Sequence, residues 1–449
     1  MSACAIVMPA WPDTSIAADD ALARVTAHLR AQLADVPAAQ RIIACSGGLD
    51  SSVLLAVLAH LHAAEGQPPP RALHVDHALN PASNDWAEAL AERCRGLGVE
   101  LDMWRVQVER TDAGLEADAR RARYAAFAEA LAEGGTLLLA HHRDDQTETI
   151  LLRLLRGAGP AGLAGMPVRR TLGAGELRRP LLDFDRRDLV AAAEALALEI
   201  CEDPSNTALQ HDRNYLRHVV LPVLGERWPG YRQTLTRAAA ACAEQETALA
   251  ELLGPLPQAL PVTELNGAPE VAAVRLRHWL ASVGVAAPSR RQLQDLLRQA
   301  DARDDAGVCI ELGPWQIRRF AGALHAVPAS RPEPPTDPMR WQPPAPLTLS
   351  HGRLEVEPAV GEGLSTTASP MEVRFRTGGE RLRPAGRVGR HALKDLFQEA
   401  RIPPWERDRV PLLYVAGELV AIAGLVVAEG WQAATGAPGW RLRWTPSDR

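Results

Sequence analysis

The stretch Ser46-Gly47-Gly48-Leu49-Asp50-Ser51 contains the residue types of an anion-binding turn. Two glycines allow a sharp bend that leaves backbone N–H groups uncovered, and the serine hydroxyls add further donors. A carboxylate beside bound phosphates is reasonable when it holds a Mg²⁺ ion that bridges them, so Asp50 is the candidate metal ligand. The segment lacks the Gly-Lys-Ser/Thr ending of a Walker A loop and the Gly-x-Gly-x-x-Gly pattern of a dinucleotide loop. We therefore predict a phosphate site of another kind, with a ligand-free Gly-Gly turn as the weaker alternative.

The densest polar cluster of the chain is His141-His142-Arg143-Asp144-Asp145-Gln146-Thr147-Glu148-Thr149. A helix capping box formed by Asp145 and Glu148 would explain two of these residues without any function. A metal site on the two adjacent histidines is disfavoured, because neighbouring side chains point apart. Since a capping box requires neither the histidines nor Asp144, we favour a substrate site that includes Asp145 and Glu148.

A third polar group, His74-Val75-Asp76-His77-Ala78-Leu79-Asn80, directly follows a predicted strand. Asp76 and His77 could contact the base or the ribose of a nucleotide held by the first loop. Ordinary capping of the loop explains His77 and Asn80 equally well.

One side of a predicted helix carries Glu116, Arg120, Arg123 and Tyr124. An ion pair on the surface is the simpler explanation for such spacing. Arg120 is nevertheless our candidate for a second phosphate contact, because a guanidinium matches phosphate oxygens in shape and charge.

Strands and helices alternate around these residues. We predict strands at 41–45, 71–75, 99–106 and 136–140, and helices at 18–33, 51–62, 83–97, 115–132 and 145–155. This alternation predicts an α/β domain with a parallel, Rossmann-like sheet covered by helices on both faces. Ligands of such sheets bind beyond the carboxyl ends of the strands, where the strand order reverses. The rule brings the loops at 46–51, 76–80, 107–114 and 141–145 together.

Composition limits the classes of protein that remain. The chain has 449 residues, 47% hydrophobic residues and a net charge of −6, so any nucleic-acid binding must come from local basic patches. The six cysteines are scattered without a Cys-x-x-Cys pair, which disfavours zinc ribbons, iron–sulfur sites and disulfide frameworks. We expect a cytoplasmic protein that does not enter a membrane, because the apolar stretch 410–428 contains Glu418 and fits two strands joined at Gly417-Glu418 better than a membrane span.

Four segments are predicted along the chain. Residues 1–227 form the catalytic domain, 228–327 a helical domain with helices at 236–253, 268–283 and 289–300, 328–370 a proline-rich linker with connecting strands, and 371–449 a small α+β domain around a helix at 391–401. Between Arg374 and Arg409 ten basic residues stand against five acidic ones, a net charge of +5. This basic stretch is either an RNA-binding surface or a solvated face.

The ordered series of motifs resembles a known family. Ser-Gly-Gly-x-Asp-Ser is the signature of the N-type ATP pyrophosphatases, which cleave ATP between its α- and β-phosphates. Taken together, the motifs resemble the bacterial tRNA(Ile)-lysidine synthases in their long, three-domain form. The resemblance covers about residues 41 to 428. Beyond the stretches already quoted, it rests on Arg156–Met166, Arg179–Leu182, Glu202–Asn206, Arg213–Arg217, Gly379–Pro384 and Lys394–Trp405.

The resemblance implies a reaction and a role for each candidate residue. The family joins free L-lysine to C2 of the wobble cytidine of a CAU-anticodon isoleucine tRNA, through an adenylated tRNA, and releases pyrophosphate and then AMP. It implies ATP as a substrate, Mg²⁺ on Asp50, and catalytic roles for Asp50, Arg120, Asp145 and Glu148. The implied binding residues are Ser46, Gly47, Gly48, Leu49, Asp50, Ser51, Asp76 and His77 for ATP; Asp145, Glu148 and Arg213 for lysine; and Arg217, Arg381, Arg383, Arg387, Arg390 and Lys394 for tRNA.

Two rival functions stay open at this point. A tRNA thiolase of the same superfamily would need catalytic or cluster-binding cysteines, and only Cys45 adjoins the first loop. A tRNA-binding protein without catalysis is the other, although Asp50, Asp145 and Glu148 argue against it. The sequence also leaves the choice between a monomer and a homodimer open.

Overall fold

The loops that begin at Ser46 and at His141 lie at one end of a six-stranded sheet. The computed structural model describes residues 18–77, 83–111, 114–131, 135–198, 209–301 and 308–447. The predictions for Asn80 and for the motif 202–206 concern residues outside these ranges, and residues 1–17 of the predicted lead-in lie outside them as well. The chain divides into two compact units, Met1–Glu251 and Leu252–Arg449.

The sheet of the first unit runs in the order β3-β2-β1-β4-β6-β5, and all neighbours are parallel except β5 and β6. The predicted parallel, Rossmann-like sheet is therefore confirmed, and the hairpin of β5 and β6 extends it beyond the prediction. Strand order reverses between β1 and β4, whose carboxyl ends lead into the Ser46 and His141 loops. The strands are β1 Arg41–Ala44, β2 Arg71–Asp76, β3 Glu100–Arg105, β4 Thr136–Leu138, β5 Arg169–Leu172 and β6 Gly175–Arg178.

Helices follow each of the first four strands, as the alternation predicted. Helix bounds differ from the prediction by only a few residues, because the apolar spacing fixes the middle of a helix better than its ends. The helices of this unit are α1 Ala18–Gln32, α2 Leu49–Ala64, α3 Ser83–Gly96, α4 Leu115–Ala130, α5 Arg143–Leu155, α6 Pro160–Leu163, α7 Arg186–Ala195, α8 Asp212–Tyr215, α9 Leu221–Arg227 and α10 Tyr231–Leu253, with a π-helical turn at Leu216–Val220 between α8 and α9.

Helix α2 lies at the centre of this unit and supports the phosphate loop, which comprises residues 46–51. Val53, Leu54, Leu55, Val57 and Leu58 are fully buried, so the helix is apolar on nearly all sides. Burial of each such side chain stabilises the fold by roughly 1.5–3 kcal/mol. The first turn of α2 therefore sits on a rigid support, and Gly48 is its N-cap.

The start of α5 corrects the capping interpretation of the His141–Thr149 cluster. The helix begins at Arg143 and its N-cap is His142, two residues earlier than predicted. The backbone N–H of His142 donates to Asp145 Oδ2 at 3.1 Å, and the N–H of Asp144 donates to His142 Nδ1 at 3.2 Å. Glu148 therefore takes no part in the cap, and the capping box of Asp145 with Glu148 was wrong.

The second unit consists mostly of antiparallel strands. Its sheets run β7-β10-β9-β8, β11-β15-β18-β19-β20, β12-β13-β21-β14 and β16-β17. The strands are β7 Ala259–Pro261, β8 Cys309–Leu312, β9 Trp315–Phe320, β10 Ala323–Pro328, β11 Met339–Trp341, β12 Leu347–Leu349, β13 Gly352–Val360, β14 Leu364–Ser365, β15 Met371–Arg374, β16 Arg381–Leu382, β17 His391–Ala392, β18 Leu412–Val415, β19 Glu418–Ile422, β20 Val426–Val427 and β21 Pro438–Pro446. The helices are α11 Pro269–Ser282, α12 Arg290–Ala300, α13 Leu393–Glu399 and α14 Pro404–Arg407.

Two features of this unit differ from the prediction. The segment predicted as helical contains α11 and α12 but also the sheet of β7 to β10, whose strands pack Leu260, Ile317 and Leu324 against these helices. Strands of the proline-rich segment pair with strands beyond residue 371: β13 pairs with β21 from Gly352↔Pro446 to Val360↔Pro438. Residues 339–365 therefore share sheets with the C-terminal segment.

The apolar stretch 410–428 forms strands, as predicted. Strands β18 and β19 are joined at Ala416 and Gly417, which both adopt positive φ. No helix in the described part of the chain has the length and apolar character that a membrane crossing requires.

Candidate active site

A cavity of about 280 Å³ lies beyond the carboxyl ends of β1 and β4. Its position agrees with the rule for parallel sheets, because the strand order reverses between these two strands. Its apolar lining comes from the ends of β1, β2 and β4 and from Phe127 of α4. The polar lining consists of Ser46, Asp50, Ser51, Arg120, Arg123, Tyr124, His141, Asp145 and Arg213.

The phosphate loop forms one wall of the cavity. Gly47 has a φ of +87°, a left-handed conformation that glycine adopts without strain. The Ser51 hydroxyl donates to the Gly48 carbonyl at 3.1 Å and accepts from the N–H of Ser46 at 3.3 Å. These bonds hold the turn open in front of the helix N-terminus, where backbone donors and the helix dipole favour an anion.

His142 links the phosphate loop to helix α5. Its side chain is 1% exposed, and its Nε2 atom lies 3.6 Å from Asp50 Oδ2 and 3.4 Å from Asp145 Oδ2. Burial alone would lower the pKa of His142, but Asp50, Asp145 and Asp144 outweigh it and raise the pKa above its ordinary value. A positively polarised ring thus offsets the repulsion between two carboxylates on different elements.

Asp145 and Glu148 lie one helical turn apart on α5, and their pKa values shift in opposite directions. Burial raises the pKa of Asp145, but His142 and His141 outweigh burial, so the net pKa is lowered. Burial of Glu148, whose side chain is 0% exposed, is the largest effect on that residue and raises its pKa despite the nearby guanidinium of Arg217. Asp145 therefore stays ionised, whereas Glu148 accepts a proton more readily than an ordinary glutamate.

Two arginines from the segment after the sheet complete this end of the site. Arg217 Nε donates to Glu148 Oε1 at 2.6 Å, and its Nη2 donates to Glu148 Oε2 at 3.1 Å and to Asp145 Oδ1 at 3.2 Å. Arg213 Nε lies 3.1 Å from Glu148 Oε2, and Arg213 Nη2 donates to Thr149 Oγ1 at 3.0 Å. The arrangement is an ion-pair network around a buried carboxylate.

Helix α4 supplies the opposite, cationic wall. The guanidinium carbon of Arg120 lies 4.8 Å from the ring centroid of Tyr124, and Arg120 Nη2 donates to the Tyr124 hydroxyl at 3.2 Å. Arg170 contacts the same ring at 5.1 Å. Stacking on Tyr124 restricts the orientation of Arg120, so its charge faces the cavity in a defined position.

Most predicted residues of the catalytic centre gather at this cavity. Ser46, Asp50, Ser51, Arg120, Asp145 and Arg213 line it, and Glu148 lies behind Asp145. Gly47, Gly48 and Leu49 form the turn and the first residue of α2.

Asp76 and His77 lie apart from this lining. Neither residue is among the described residues that line the cavity. Asp76 Oδ2 accepts a hydrogen bond from Arg105 Nε at 3.2 Å. Burial lowers the pKa of His77, and Arg123 lowers it further. A role for either residue in nucleotide binding stays a prediction.

The residues predicted to bind tRNA divide into two groups. Arg217 lies in the ion-pair network of Glu148 and not on an open surface. The other five are exposed at and near the β16–β17 hairpin; they are Arg381, Arg383, Arg387, Arg390 and Lys394.

Sequence reasoning did not assign a role to His142, Arg123 or Tyr124. A signal for His142 was present, because a histidine that follows a buried strand and precedes two aspartates is an available N-cap. Its contact with Asp50 could not be derived from the sequence, because the two residues belong to different loops.

The residues of the site fit a divalent cation. Asp50 Oδ1 is buried and has no hydrogen-bond partner among the described residues, as expected of an oxygen that binds another ligand. No group of three or more His, Cys, Asp or Glu side chains in the described ranges could hold a metal by itself. A single carboxylate suits Mg²⁺, which is commonly held by one or two carboxylates together with substrate phosphates.

Family models match three parts of the chain. Residues 21–224 match the PP-loop domain, residues 260–325 the TilS substrate binding domain, and residues 371–444 the TilS substrate C-terminal domain.

Relatives of known identity match over most of the chain. A tRNA(Ile)-lysidine synthase of Alkalilimnicola ehrlichii is 43% identical over 423 residues, which cover 90% of this chain and 93% of the relative. The tRNA(Ile)-lysidine synthase of Coxiella burnetii is 41% identical over 419 residues, with the same shares. Among solved structures, the crystal structure of a TilS C-terminal domain is 26% identical, covers 25% of this chain and 100% of that chain, and has a TM-score of 0.21.

Proposed function

The chain belongs to the tRNA(Ile)-lysidine synthase family, and we propose from this premise that it joins the ε-amine of free L-lysine to C2 of the wobble cytidine of a CAU-anticodon isoleucine tRNA. ATP supplies the energy, and pyrophosphate and AMP are released. The observation that carries the proposal is one cavity that is lined by the phosphate loop and by Asp145, with Glu148 directly behind Asp145. Such a cavity can bring the phosphates of ATP close to the carboxylate that would hold the amine. We expect the protein to act in the cytoplasm.

The phosphate loop and Arg120 form the ATP end. Ser46, Ser51 and the backbone of the Gly47 turn would hold the pyrophosphate portion, and Arg120 would face the α-phosphate from the other wall. Asp50 would hold Mg²⁺, which neutralises charge on the phosphates when bound. The C2 oxygen of cytidine attacks the α-phosphate, the bond to the β-phosphate breaks, and pyrophosphate leaves.

Asp145, Glu148 and Arg213 form the lysine end. The side-chain amine of free lysine has a pKa of about 10.4, so the ammonium must lose a proton before it attacks. Asp145, with its lowered pKa, is suited to hold the ammonium, and Glu148, with its raised pKa, is suited to accept the proton. The amine then forms the bond to C2, the bond from C2 to the adenylated oxygen breaks, and AMP leaves.

Arg217 has a different role from the one predicted from the sequence. Its bidentate bonds to Glu148 fix that carboxylate and partly compensate its buried charge. We therefore assign Arg217 to positioning Glu148 and not to contacting tRNA. The five exposed cations at and near the β16–β17 hairpin remain the proposed tRNA contacts.

The structure disfavours the thiolase alternative. Cys45 is buried, and burial raises the pKa of its thiol, so a reactive thiolate is not expected there. Cys94 is also buried with a raised pKa, and Cys309 is exposed in the other unit. Within the described ranges there is no cysteine cluster that could bind a metal.

An exchange assay separates the enzyme from a binding protein without catalysis. Labelled pyrophosphate should enter ATP only when the isoleucine tRNA is present, because adenylation of the cytidine is reversible. Absence of tRNA-dependent exchange, with tRNA binding intact, would contradict the proposed function.

A further inference from the structure

A hairpin loop of the second unit combines exposed cations with an exposed apolar side chain. Residues Arg383–Arg390, the basic hairpin loop, connect the paired strands β16 and β17. From Arg381 to Lys394 the sequence has five basic residues and no acidic one. Two acidic side chains from elsewhere in this unit offset part of this charge: Arg387 Nη1 donates to Glu399 Oε2 at 2.5 Å, and Glu429 accepts a hydrogen bond from the loop. The Arg387–Glu399 pair is about half exposed, so Arg387 can exchange the carboxylate for a phosphate at little cost. The remaining excess of positive charge attracts anions, in contrast to the net charge of −6 of the chain.

Hydrogen bonds hold both ends of the basic hairpin loop. The N–H of Ala385 donates to the Val427 carbonyl at 3.1 Å, and the N–H of Gly386 donates to Glu429 Oε2 at 3.0 Å. On the other side, Arg381 Nη2 donates to the Arg390 carbonyl at 3.0 Å. The loop thus has a defined conformation, which reduces the entropy cost of binding a partner.

Val388 lies at the tip of this loop and is 94% exposed. Gly386 and Gly389, on either side, have φ values of +73° and +85°, and they turn the backbone so that the valine projects away from the unit. Arg387 precedes Val388, and Arg390 lies two residues beyond it. A scattered exposed valine needs no explanation. A loop of defined conformation that exposes a valine between two arginines has the residue types of a surface that binds nucleic acid.

We propose that Val388 docks into the shallow minor groove of an RNA duplex, with Arg387 and Arg390 on the flanking phosphates. The inference rests on the proposed function, because it specifies how the exposed cations contact tRNA. The A-form minor groove is wide and shallow and exposes riboses, which offer apolar carbon surface beside the 2′-hydroxyls. The minor groove of B-form DNA is about 6 Å wide and admits such a tip poorly.

A protein partner fits these observations less well. The apolar part of the tip is one side chain, whereas stable protein interfaces bury clusters of aromatic and aliphatic residues. The cations that flank the valine are complementary in charge to the two rows of phosphates that border a minor groove.

The test compares binding of the unmodified isoleucine tRNA by the full chain and three single variants at several salt concentrations. Val388→Ser should raise the Kd about tenfold without a change in the salt slope, because no charge is removed. Arg390→Gln should lower the slope by about one unit. Val360→Ser is the matched control, because Val360 is 73% exposed at the end of β13 in the same unit, and its Kd should equal that of the wild type.

Competition identifies the kind of groove. A short RNA duplex should displace the tRNA from the wild type better than the DNA duplex of the same sequence, and Val388→Ser should reduce this preference. Equal competition by the two duplexes, or a wild-type Kd for Val388→Ser, would overturn the inference. If Arg390→Gln lowers the salt slope while Val388→Ser is neutral, only the inference fails. If neither variant changes binding, the basic hairpin loop does not contact tRNA and its place in the proposed function fails too.

Discussion

At the level of single residues, the surroundings of two carboxylates on helix α5 shift their pKa values in opposite directions and so suit them to different roles. Asp145 lies near two histidines and keeps its charge, whereas Glu148 is buried and retains a proton to higher pH. The sequence paired Glu148 with its near neighbour Asp145, but its strongest partner is Arg217, 69 residues later. The family resemblance identified both carboxylates, and only the fold could distinguish their roles.

Asp50 is the proposed Mg²⁺ ligand, so the adenylation step should depend on it. Asp50→Asn should fold and bind tRNA but lose adenylation by on the order of 10²-fold or more, since a metal ion stabilises transition-state charge by several kcal/mol. Tightly bound adenylated tRNA can be quantified after a single turnover. Asp20→Asn, which changes a largely exposed carboxylate of α1, is the control and should react normally. Normal adenylation by Asp50→Asn would remove this residue from the mechanism.

Glu148→Gln should raise the KM for lysine about tenfold and leave the KM for ATP nearly unchanged, because a charged hydrogen bond to the amine is lost. Glu194→Gln, an exposed change on α7, is the control. Two effects on stability oppose each other, because Arg217 loses its carboxylate partner while a buried charge is removed, so the melting temperature should change little. Because the folded pKa of Glu148 is raised, its stability contribution is present at low pH and is lost as pH rises through that pKa, so removing the charge relieves a desolvation cost at neutral pH.

The pH dependence of the KM for lysine tests the proposed role of Glu148 independently. As pH falls through the raised pKa of Glu148, the carboxylate that faces Arg217, Arg213 and Asp145 becomes neutral and stops attracting and deprotonating the amine. The KM for lysine of the wild type should therefore rise in mildly acidic buffer. A flat profile for the wild type, or the same rise in Glu148→Gln, would assign the effect to another group.

At the scale of elements, the junction of β1 and α2 was predictable and the start of α5 was not. An apolar strand, two glycines and an apolar helix define the first junction locally. Helix α5 is capped by His142, whose ring also contacts Asp50 from another loop, so its cap depends on contacts between distant parts of the chain. The hairpin of β5 and β6 escaped prediction because its strands are short and polar.

The phosphate turn can be tested with two glycines that flank the same helix. Gly47→Ala forces alanine into a left-handed conformation, at a cost of about 1 kcal/mol, and should weaken ATP binding because the loop changes shape. Gly66→Ala, at the other end of α2, has a φ of +64° and nothing near its added methyl group, so it should cost similar stability without affecting ATP. Isothermal titration with ATP and thermal melting give both quantities. Equal ATP affinities in the two variants would mean that the turn does not shape the site.

For the whole molecule, the parts of the fold that could not be predicted are those in which strands pair across long distances in the sequence. The parallel sheet of the first unit was predictable, because each strand is followed by its own helix. In the second unit β13 pairs with β21, from Gly352↔Pro446 to Val360↔Pro438, which are 94 and 78 positions apart, and no local feature of the sequence indicates this pairing. A predicted boundary at residue 371 would separate these partners.

The two units should therefore be separated after Glu251. A fragment of residues 1–251 contains every described residue that lines the cavity, so it should bind ATP with nearly the affinity of the full chain. Its tRNA binding should weaken and depend less on salt, because the basic hairpin loop is absent. Circular dichroism checks that the fragment folds. A folded fragment that does not bind ATP would show that the site needs residues beyond Glu251.

Mass spectrometry of the tRNA shows whether the proposed reaction takes place. Isoleucine tRNA with a CAU anticodon is incubated with the protein, ATP, Mg²⁺ and isotopically labelled lysine, then digested to nucleosides. We expect the wobble cytidine to gain one lysine with loss of one oxygen as water, and one AMP and one pyrophosphate to form per modified tRNA. An unmodified cytidine, or ATP cleavage without incorporation of lysine, would contradict the proposed reaction.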